Sequence, residues 1–401
     1  MKILHTSDWH VGSSCAQYGE VAARVREHRM EAARRLPDLA RARDVGLVLV
    51  AGDLFDSPSA DEETVAQVVD VLNRFAPARV VVIPGNHDVH EPGGVWDRRA
   101  WKNLGDHVVV ALEAEELVID DRVSIFPCPI TQKQSRMDPT EWIPRRARGD
   151  AKVRIGLAHG SLDALAKVEN FPIAQERADV AGLDYLALGD WHGARVFGSG
   201  STAYCGAPEG LTFGERQAGS ALIVEIAEGR DAAPRVETVR VGDLRWFHTQ
   251  ATIRDATDLA ELESELLGLG TSDKCLVRLE LKVIEESSPA EARQASLLAQ
   301  SGTDDAPLVT LLEASHRKWS ERLLFLDWRM EALEVGLAGV PRSLETLDEW
   351  LQGAIAVAEG GAGHAVTPDL SDELVEVMGD DISVLREARW QLRMLAAETS
   401  Q

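Results

Sequence analysis

The chain has 401 residues, 45% of them hydrophobic and 27% charged, which is too long for one small core and too apolar for wholesale disorder. Against 66 Asp and Glu stand only 42 Lys and Arg, a net charge of −24 that on average repels a phosphate backbone. No apolar run approaches the roughly 20 residues of a membrane span. The start reaches polar residues too soon for a signal peptide, and Cys15, Cys128, Cys205 and Cys275 are too scattered for a disulfide framework or a thiolate zinc site. A soluble protein of a reducing cytoplasm is expected.

In chain order, the first 215 residues repeat one pattern: a short apolar run, readable as a buried strand, that stops abruptly in Asp, Asn or His. Ile3-Leu4-His5 leads to Asp8-Trp9-His10, and Leu47–Val50 to Gly52-Asp53. Val80–Ile83 leads to Gly85-Asn86-His87-Asp88, Ile155–Leu157 to His159-Gly160, and Leu186–Leu188 to Gly189-Asp190-Trp191-His192. Helical stretches at about 20–44 and 60–75 separate the first three, the second with Val65, Val68, Val69 and Leu72 at helical spacing. Strands alternating with helices predict an α/β layered fold, whose sites gather outside the carboxyl ends of the strands.

Further on, short strands are expected at Leu222–Ile226 and Val236–Val241. A strand, a helix (Leu259–Leu267) and a strand (Cys275–Val283) follow, and the remainder reads as mostly helical, at 308–325, 342–357 and 371–397. The expected division is 1–245, a 246–335 α+β segment and a helical 336–401. Charge divides unevenly: residues 1–250 carry 29 basic and 37 acidic side chains, whereas 251–401 carry 13 and 29. The last third is therefore not a polyanion surface.

Taken together, the strand ends offer Asp8, His10, Asp53, Asn86, His87, Asp88, His159, Asp190 and His192, a mixed oxygen and imidazole set without thiolate. Such donors suit Mn, Fe or Zn and a two-metal hydrolase, in which a carboxylate such as Asp53 bridges two ions about 3.5–4 Å apart. Singly, each piece reads more simply: Gly-Asp after a strand as a turn, a lone strand-end His as packing. Five in order, each behind an apolar strand, do not.

In that order, D-x-H, G-D-x-x-D, G-N-H-D, H-G and a late G-x-x-H, the sequence resembles the calcineurin-like metallophosphoesterases. MKILHTSDWHVG (Met1–Gly12), AGDLFD (Ala51–Asp56) and YCGAPEGLTFGE (Tyr204–Glu215) resemble the SbcD-type DNA-repair nuclease subfamily in particular. The resemblance implies a layered β-sandwich flanked by helices, with 246–335 as a smaller capping domain and C-terminal helices that dock a partner. It implies one metal on Asp8, His10, Asp53 and His192 and a second on Asp53, Asn86, His159 and the residue at 190. It implies His87 as the acid that protonates the leaving oxygen, with Asp88 steering its imidazole. It also implies two divalent ions, Mn first, DNA as substrate, an SMC-like coiled-coil ATPase as partner, and homodimerisation; Val65, Val68, Val69 and Leu72 are candidate contributors to that contact, with burial in the core the expected fate of most of them. One departure stands out: where the subfamily has G-H-x-H, this chain has Asp190, whose carboxylate favours a harder ion.

The richest basic stretch, Lys133–Arg154, carries Lys133, Arg136, Arg145, Arg146, Arg148, Lys152 and Arg154 around Trp142, and reads equally as a nucleic-acid surface or a solvated loop. His90–Trp96 reads as a lip over the cleft or a turn. The arginines from Arg24 to Arg43, including Arg29 and Arg35, read as a solvated helix face. The rival readings are a small-molecule phosphoesterase of the same fold and a scaffold silenced by Asp190.

Overall fold

The computed structural model describes residues 1–164, 170–215, 217–227, 233–269, 273–283 and 308–333, and the single positions Trp350, Leu351 and Ala388. Apart from those positions, the helices expected at 342–357 and 371–397 lie outside the described residues. The chain divides into two units, Met1–Trp246 and Phe247–Gln401. Among the described residues no helix is long and apolar enough to cross a membrane.

Two six-stranded sheets form the first unit. One contains β1 (Lys2–Thr6), β2 (Leu47–Ala51), β3 (Arg79–Ile83) and β4 (Val108–Val110), all parallel, with β13 (Ser220–Glu225) antiparallel to β1 and β14 (Arg235–Arg240) outermost. The other contains β5 (Leu117–Ile119), β6 (Val123–Cys128), β7 (Val153–His159), β10 (Tyr185–Gly189), β12 (Thr202–Tyr204) and β11 (Arg195–Phe197), with β6, β7, β10 and β12 parallel. The short pair β8 (Ser161–Leu162) and β9 (Pro172–Ile173) stands apart.

Period-two burial explains why the central strands are apolar throughout. Ile3, Leu47, Leu49, Ala51, Val81 and Ile83 face Ile125, Ile155, Leu157, Tyr185 and Ala187 between the sheets. The alternating residues Leu4, Val48, Val50, Val80 and Val82 turn outward. They meet the helices α1 (Ala22–Ala42) and α2 (Glu62–Asn73) through Met30, Ala33, Leu36, Val65, Val68 and Leu72. Helix α2 starts where Asp61 caps it, accepting from the Thr64 N–H at 2.8 Å, with Glu62 and Glu63 in its first turn. On the far face of the second sheet, Leu186, Leu188 and Tyr204 pack on Ile143 and on α3 (Arg177–Ala181). The layered β-sandwich flanked by helices is thus the observed fold of this unit.

This packing settles one open reading and corrects another. Val65, Val68, Val69 and Leu72 are all buried in the unit's own core, so none is left to contribute to a dimer contact. Arg29 and Arg35 are not a free helix face: Arg29 is buried and donates to the Leu211 carbonyl at 2.8 Å, and Arg35, partly exposed, donates to the Val241 carbonyl at 3.0 Å and Asp243 at 2.6 Å. They tie helix α1 to later chain, which helical spacing alone does not reveal.

In the second unit β15 (Arg245–Ile253), β16 (Cys275–Val283) and β17 (Phe325–Leu333) form one sheet, with α4 (Ala256–Gly268) and a helix at Leu308–Ser320. Leu259, Leu262, Leu266, Leu312 and Trp319 cover Val277, Leu279 and Leu281. Strand β17 replaces the expected helical continuation. Leu326–Arg329 alternates apolar with charged residues, and the strand pairs parallel to β16 after the helical crossover, Leu276 opposite Phe325.

Candidate metal centre

The parallel registers bring the strand ends level: Thr6 lies opposite Val50, Ala51 opposite Ile83, and Gly189 opposite His159. Just past these ends the backbone turns through the left-handed region at Asp8 (φ 54°), His10 (φ 46°), Asp53 (φ 53°) and Asp190 (φ 100°). Of the ten non-glycine residues with positive φ among the described residues, four fall at this one edge, a clustering that singles it out as a candidate site. Glycines let the turns converge. A Cβ on Gly85 would lie 2.2 Å from Asp53 Oδ1, and one on Gly52 2.6 Å from His159 Nδ1.

Eight of the nine residues expected from sequence come together here. One donor group is Asp8, His10 and His192, another Asp8, Asp53 and His159, and a third His10, Asp53 and His87, with ligand atoms in each within 4.8 Å of one another. Asp53 Oδ2 lies 3.7 Å from His10 Nε2 and 3.4 Å from His159 Nε2, between the first two groups as a bridging carboxylate must. Asn86 Oδ1 lies 2.7 Å from His159 Nε2. Asp190 is not turned away: Oδ1 faces His159 Nε2 at 3.8 Å, and Oδ2 accepts from Ser161 Oγ at 2.7 Å.

Each imidazole is oriented through its other nitrogen. His159 Nδ1 donates to the Ala51 carbonyl at 2.8 Å, His10 Nδ1 meets Asp56 Oδ1 at 3.1 Å, and His192 Nδ1 meets Glu215 Oε1 at 2.7 Å. A held Nδ1–H fixes the tautomer and leaves the Nε2 lone pair for a metal. Glu215 is itself fixed, its second oxygen accepting from the Leu211 N–H at 2.8 Å. Asp56 and Glu215 fall inside AGDLFD and YCGAPEGLTFGE, yet sequence reasoning assigns no role to either. An acidic residue three positions after a ligand turn is the available signal for Asp56; nothing local marks Glu215.

Asp88 does not steer His87. Its carboxylate is buried and accepts from the Gly85 N–H at 2.6 Å and the Phe55 N–H at 3.1 Å, pinning the β2 and β3 turns to each other. The His87 ring instead donates through Nδ1 to the Asp56 carbonyl at 3.2 Å. The chain bends through Asn86–Asp88, and the bend leaves Asp88 in the core and His87 exposed.

The electrostatics are those of a cation site. Burial raises the Asp8 pKa, and it carries that of Asp88 up to about 7, with Asp53 adding to the shift. Burial works against the Asp53 carboxylate too, but the His159, His10 and His87 imidazoles hold its pKa below the ordinary range. For His192 burial is outweighed by the hydrogen bond to Glu215 and by Asp8, and the pKa reaches about 9. Only positive charge relieves such a cluster. His10 Nε2 is buried without any hydrogen-bond partner. Oxygens of Asp53, Asn86 and Asp190 converge on His159 Nε2, and although burial works against a charged ring, the Asp53, Asp8 and Asp190 carboxylates raise the His159 pKa well above its ordinary value. These donors fit divalent cations.

Away from the strand ends, the basic stretch is largely structural. Trp142 leans on Phe126 at 5.9 Å, Arg146 donates to the Gly182 carbonyl at 2.7 Å, and buried Arg154 lies 4.4 Å over the Phe126 ring. Lys133, Arg136, Arg145 and Arg148 remain exposed or half-buried. In the expected lip, Trp96 is buried and stacked on Trp101 at 5.0 Å.

A two-sheet sandwich with oxygen and imidazole donors at its strand ends is the architecture of the metallophosphoesterase fold. Residues 1–194 match the calcineurin-like phosphoesterase family, and the first unit carries a domain of that family. The SbcD component of the SbcCD nuclease of Escherichia coli (strain K12) is 26% identical over 404 aligned positions, covering 87% of this chain and 94% of that one. The uncharacterized metallophosphoesterase YhaO of Bacillus subtilis is 26% identical over 277 positions, 65% of either chain. DNA double-strand break repair protein Mre11 of Aeropyrum pernix is 27% identical over 282 positions, 63% of this chain and 64% of that one. The chain thus spans just under two thirds of the latter two.

Proposed function

We propose that this protein is a metal-dependent DNA nuclease, the phosphodiesterase component of a repair complex with an SMC-like coiled-coil ATPase. The observation that carries the reading is Asp53, shared by two donor groups, one of which includes the exposed His87. Asp8, His10, Asp53 and His192 would hold one ion, and Asp53, Asn86, His159 and Asp190 the other. Two cations, Mn by preference of an oxygen-rich set, would supply Lewis-acid activation of water and neutralise the phosphoryl charge.

The chain's own groups do the rest. Asp56 and Glu215 hold His10 and His192 by Nδ1 and so aim Nε2. The Asp56 carbonyl holds His87 by Nδ1–H, which leaves Nε2 to carry the proton given to the departing sugar oxygen. The relatives named as a nuclease and as a double-strand break repair protein favour DNA as substrate. With a net charge of −24, much of the DNA affinity is assigned to the ATPase partner, with Lys133, Arg136, Arg145 and Arg148 as the local contribution.

The test is a gel assay of single- and double-stranded DNA with Mn, Mg and Zn, run beside a small phosphodiester. DNA cleavage with Mn is expected. Hydrolysis of the small ester alone would favour a small-molecule phosphoesterase, and no hydrolysis of either a scaffold.

A further inference from the structure

Trp191 lies between two candidate ligands, Asp190 and His192, in the turn after β10, and it is 46% exposed. Every other described tryptophan is buried or half-buried. Those indoles pack: Trp9 and Trp319 are fully buried and Trp96 stacks on Trp101. Among the described residues Trp191 has no ring or hydrogen-bonding partner of its own. An exposed indole therefore sits beside the site in a protein that otherwise hides them.

The backbone that presents it is clamped on both sides. The Asp190 N–H donates to Asp8 Oδ1 at 3.2 Å, and the Asp190 carboxylate is held by Ser161. His192 is held by Glu215, its carbonyl accepts from the Ala207 N–H at 3.0 Å, and the Ala194 N–H donates to the Gln217 carbonyl at 3.3 Å. A Cβ on Gly206 would lie 2.7 Å from that His192 carbonyl, so nothing larger fits beneath the turn. The ring is thus open while its support is fixed, the arrangement of a preorganised contact.

Consecutive Cα atoms are about 3.8 Å apart, so the indole starts one residue from a candidate ligand of each ion. A polynucleotide whose phosphate occupies the centre brings its neighbouring base within a side chain's length. The centre is ringed by carboxylates and the whole chain is acidic, so ion pairing supplies little of the grip on a polyanion here. Stacking supplies grip without charge and tolerates any base, because every base has a π-face. We propose that Trp191 is the stacking platform for the base beside the scissile phosphate. The proposal rests on the DNA reading above and names the contact that positions that substrate.

The test uses the full chain with Mn and a series of single-stranded oligonucleotides in which one abasic residue steps along the strand. Trp191→Ala should raise KM on the order of 5- to 150-fold, leaving kcat and metal content within about twofold. Trp191→Phe should recover most of the loss. In wild type, an abasic residue beside the cleaved bond should cost a similar factor, and the same residue should cost Trp191→Ala nothing further. Fluorescence anisotropy of labelled DNA with Ca, without cleavage, should show the same pattern in binding. An unchanged KM in Trp191→Ala, or abasic and Ala losses that add, overturns the proposal. So does a changed sedimentation coefficient with unchanged KM, which would assign the ring to a protein contact. If wild type cleaves the small phosphodiester but no DNA, the nuclease reading itself falls, and this inference falls with it.

Discussion

The two units treat charge at a sheet in opposite ways. In the second, charged groups on the sheet and its helices face opposite partners: Arg278 and Asp327 at 2.6 Å, His248 and Glu280 at 3.0 Å, and Glu263 against Lys318. In the first, Asp8, Asp53 and Asp190 crowd one edge with histidines, on backbone twisted through the left-handed region. Among the described residues, all three donor groups belong to the first unit. Folding alone favours the second arrangement, since opposite charges in contact are cheap and buried carboxylates crowded together are not. Where a fold departs from that rule at one edge, the departure points to a cation-binding function.

The largest effects should come from breaking that edge. Asp53→Ala removes the shared carboxylate, so both ions and all hydrolysis should be lost. His87→Ala removes the group assigned as acid, so metal content should stay while the rate falls about 10²- to 10⁴-fold. Metal analysis of the purified variants separates the two. His87 also belongs to a donor group with His10 and Asp53, so a metal-free His87→Ala protein would make it a ligand and not the acid.

An equally severe change in the second unit should act on stability alone. Trp319 is fully buried in the core that β16 and α4 share, and Trp319→Ala should destabilise that unit by about 3–5 kcal/mol. Metal content should not change. Denaturant melts read beside metal stoichiometry check this; lost metal would show that the units are energetically coupled.

Much of this contrast is legible in the sequence, because strand ends are where an apolar run must stop and the stopping residues are visibly wrong for plain turns. The ligand candidates Asp8, His10, Asp53, Asn86, His159, Asp190 and His192 all arrive at one edge for that reason. What cannot be read is tertiary. Glu215 reaches His192 across 23 positions, and Arg29 reaches the Leu211 carbonyl across 182. Asp88 departs from its expected role because a neighbour in sequence is not a neighbour in space. Strand β17 escapes a sequence reading because its pairing partner lies beyond a helical crossover, and pairing decides a strand where propensity does not.

A smaller effect comes from a histidine inside the sandwich that no metal relieves. Burial lowers the His5 pKa from 6.5 to about 3, and its ring meets the Tyr185 hydroxyl at 2.9 Å. The folded protein keeps it neutral while the unfolded chain protonates it below about pH 6.5, so its contribution is intact above that pH and lost as pH falls toward 3. Between pH 7 and 5 the loss is about 2 kcal/mol, set by the roughly 1.5 units below the unfolded value. Urea melts of wild type and His5→Gln at both pH values should differ by that much in pH sensitivity, and equal sensitivity would remove His5 from the account.

The finest test concerns Asp190, where an oxygen stands in place of the imidazole expected from the resemblance. Ser161 Oγ donates to Asp190 Oδ2 at 2.7 Å, leaving Oδ1 toward His159. Ser161→Ala removes that restraint without touching Asp8, His10 or His192. If Asp190 ligates the second ion, affinity for that ion should fall on the order of tenfold, about 1.4 kcal/mol, while the first is unchanged. Asp190→Ala should weaken the same ion further, and Asp190→His should shift preference toward Zn, because imidazole is the softer donor. Calorimetric titration with Mn and Zn resolves the two sites. Equal weakening of both ions, or none of either, would mean that the carboxylate only holds the turn, and that the second site is built from Asp53, Asn86 and His159 alone.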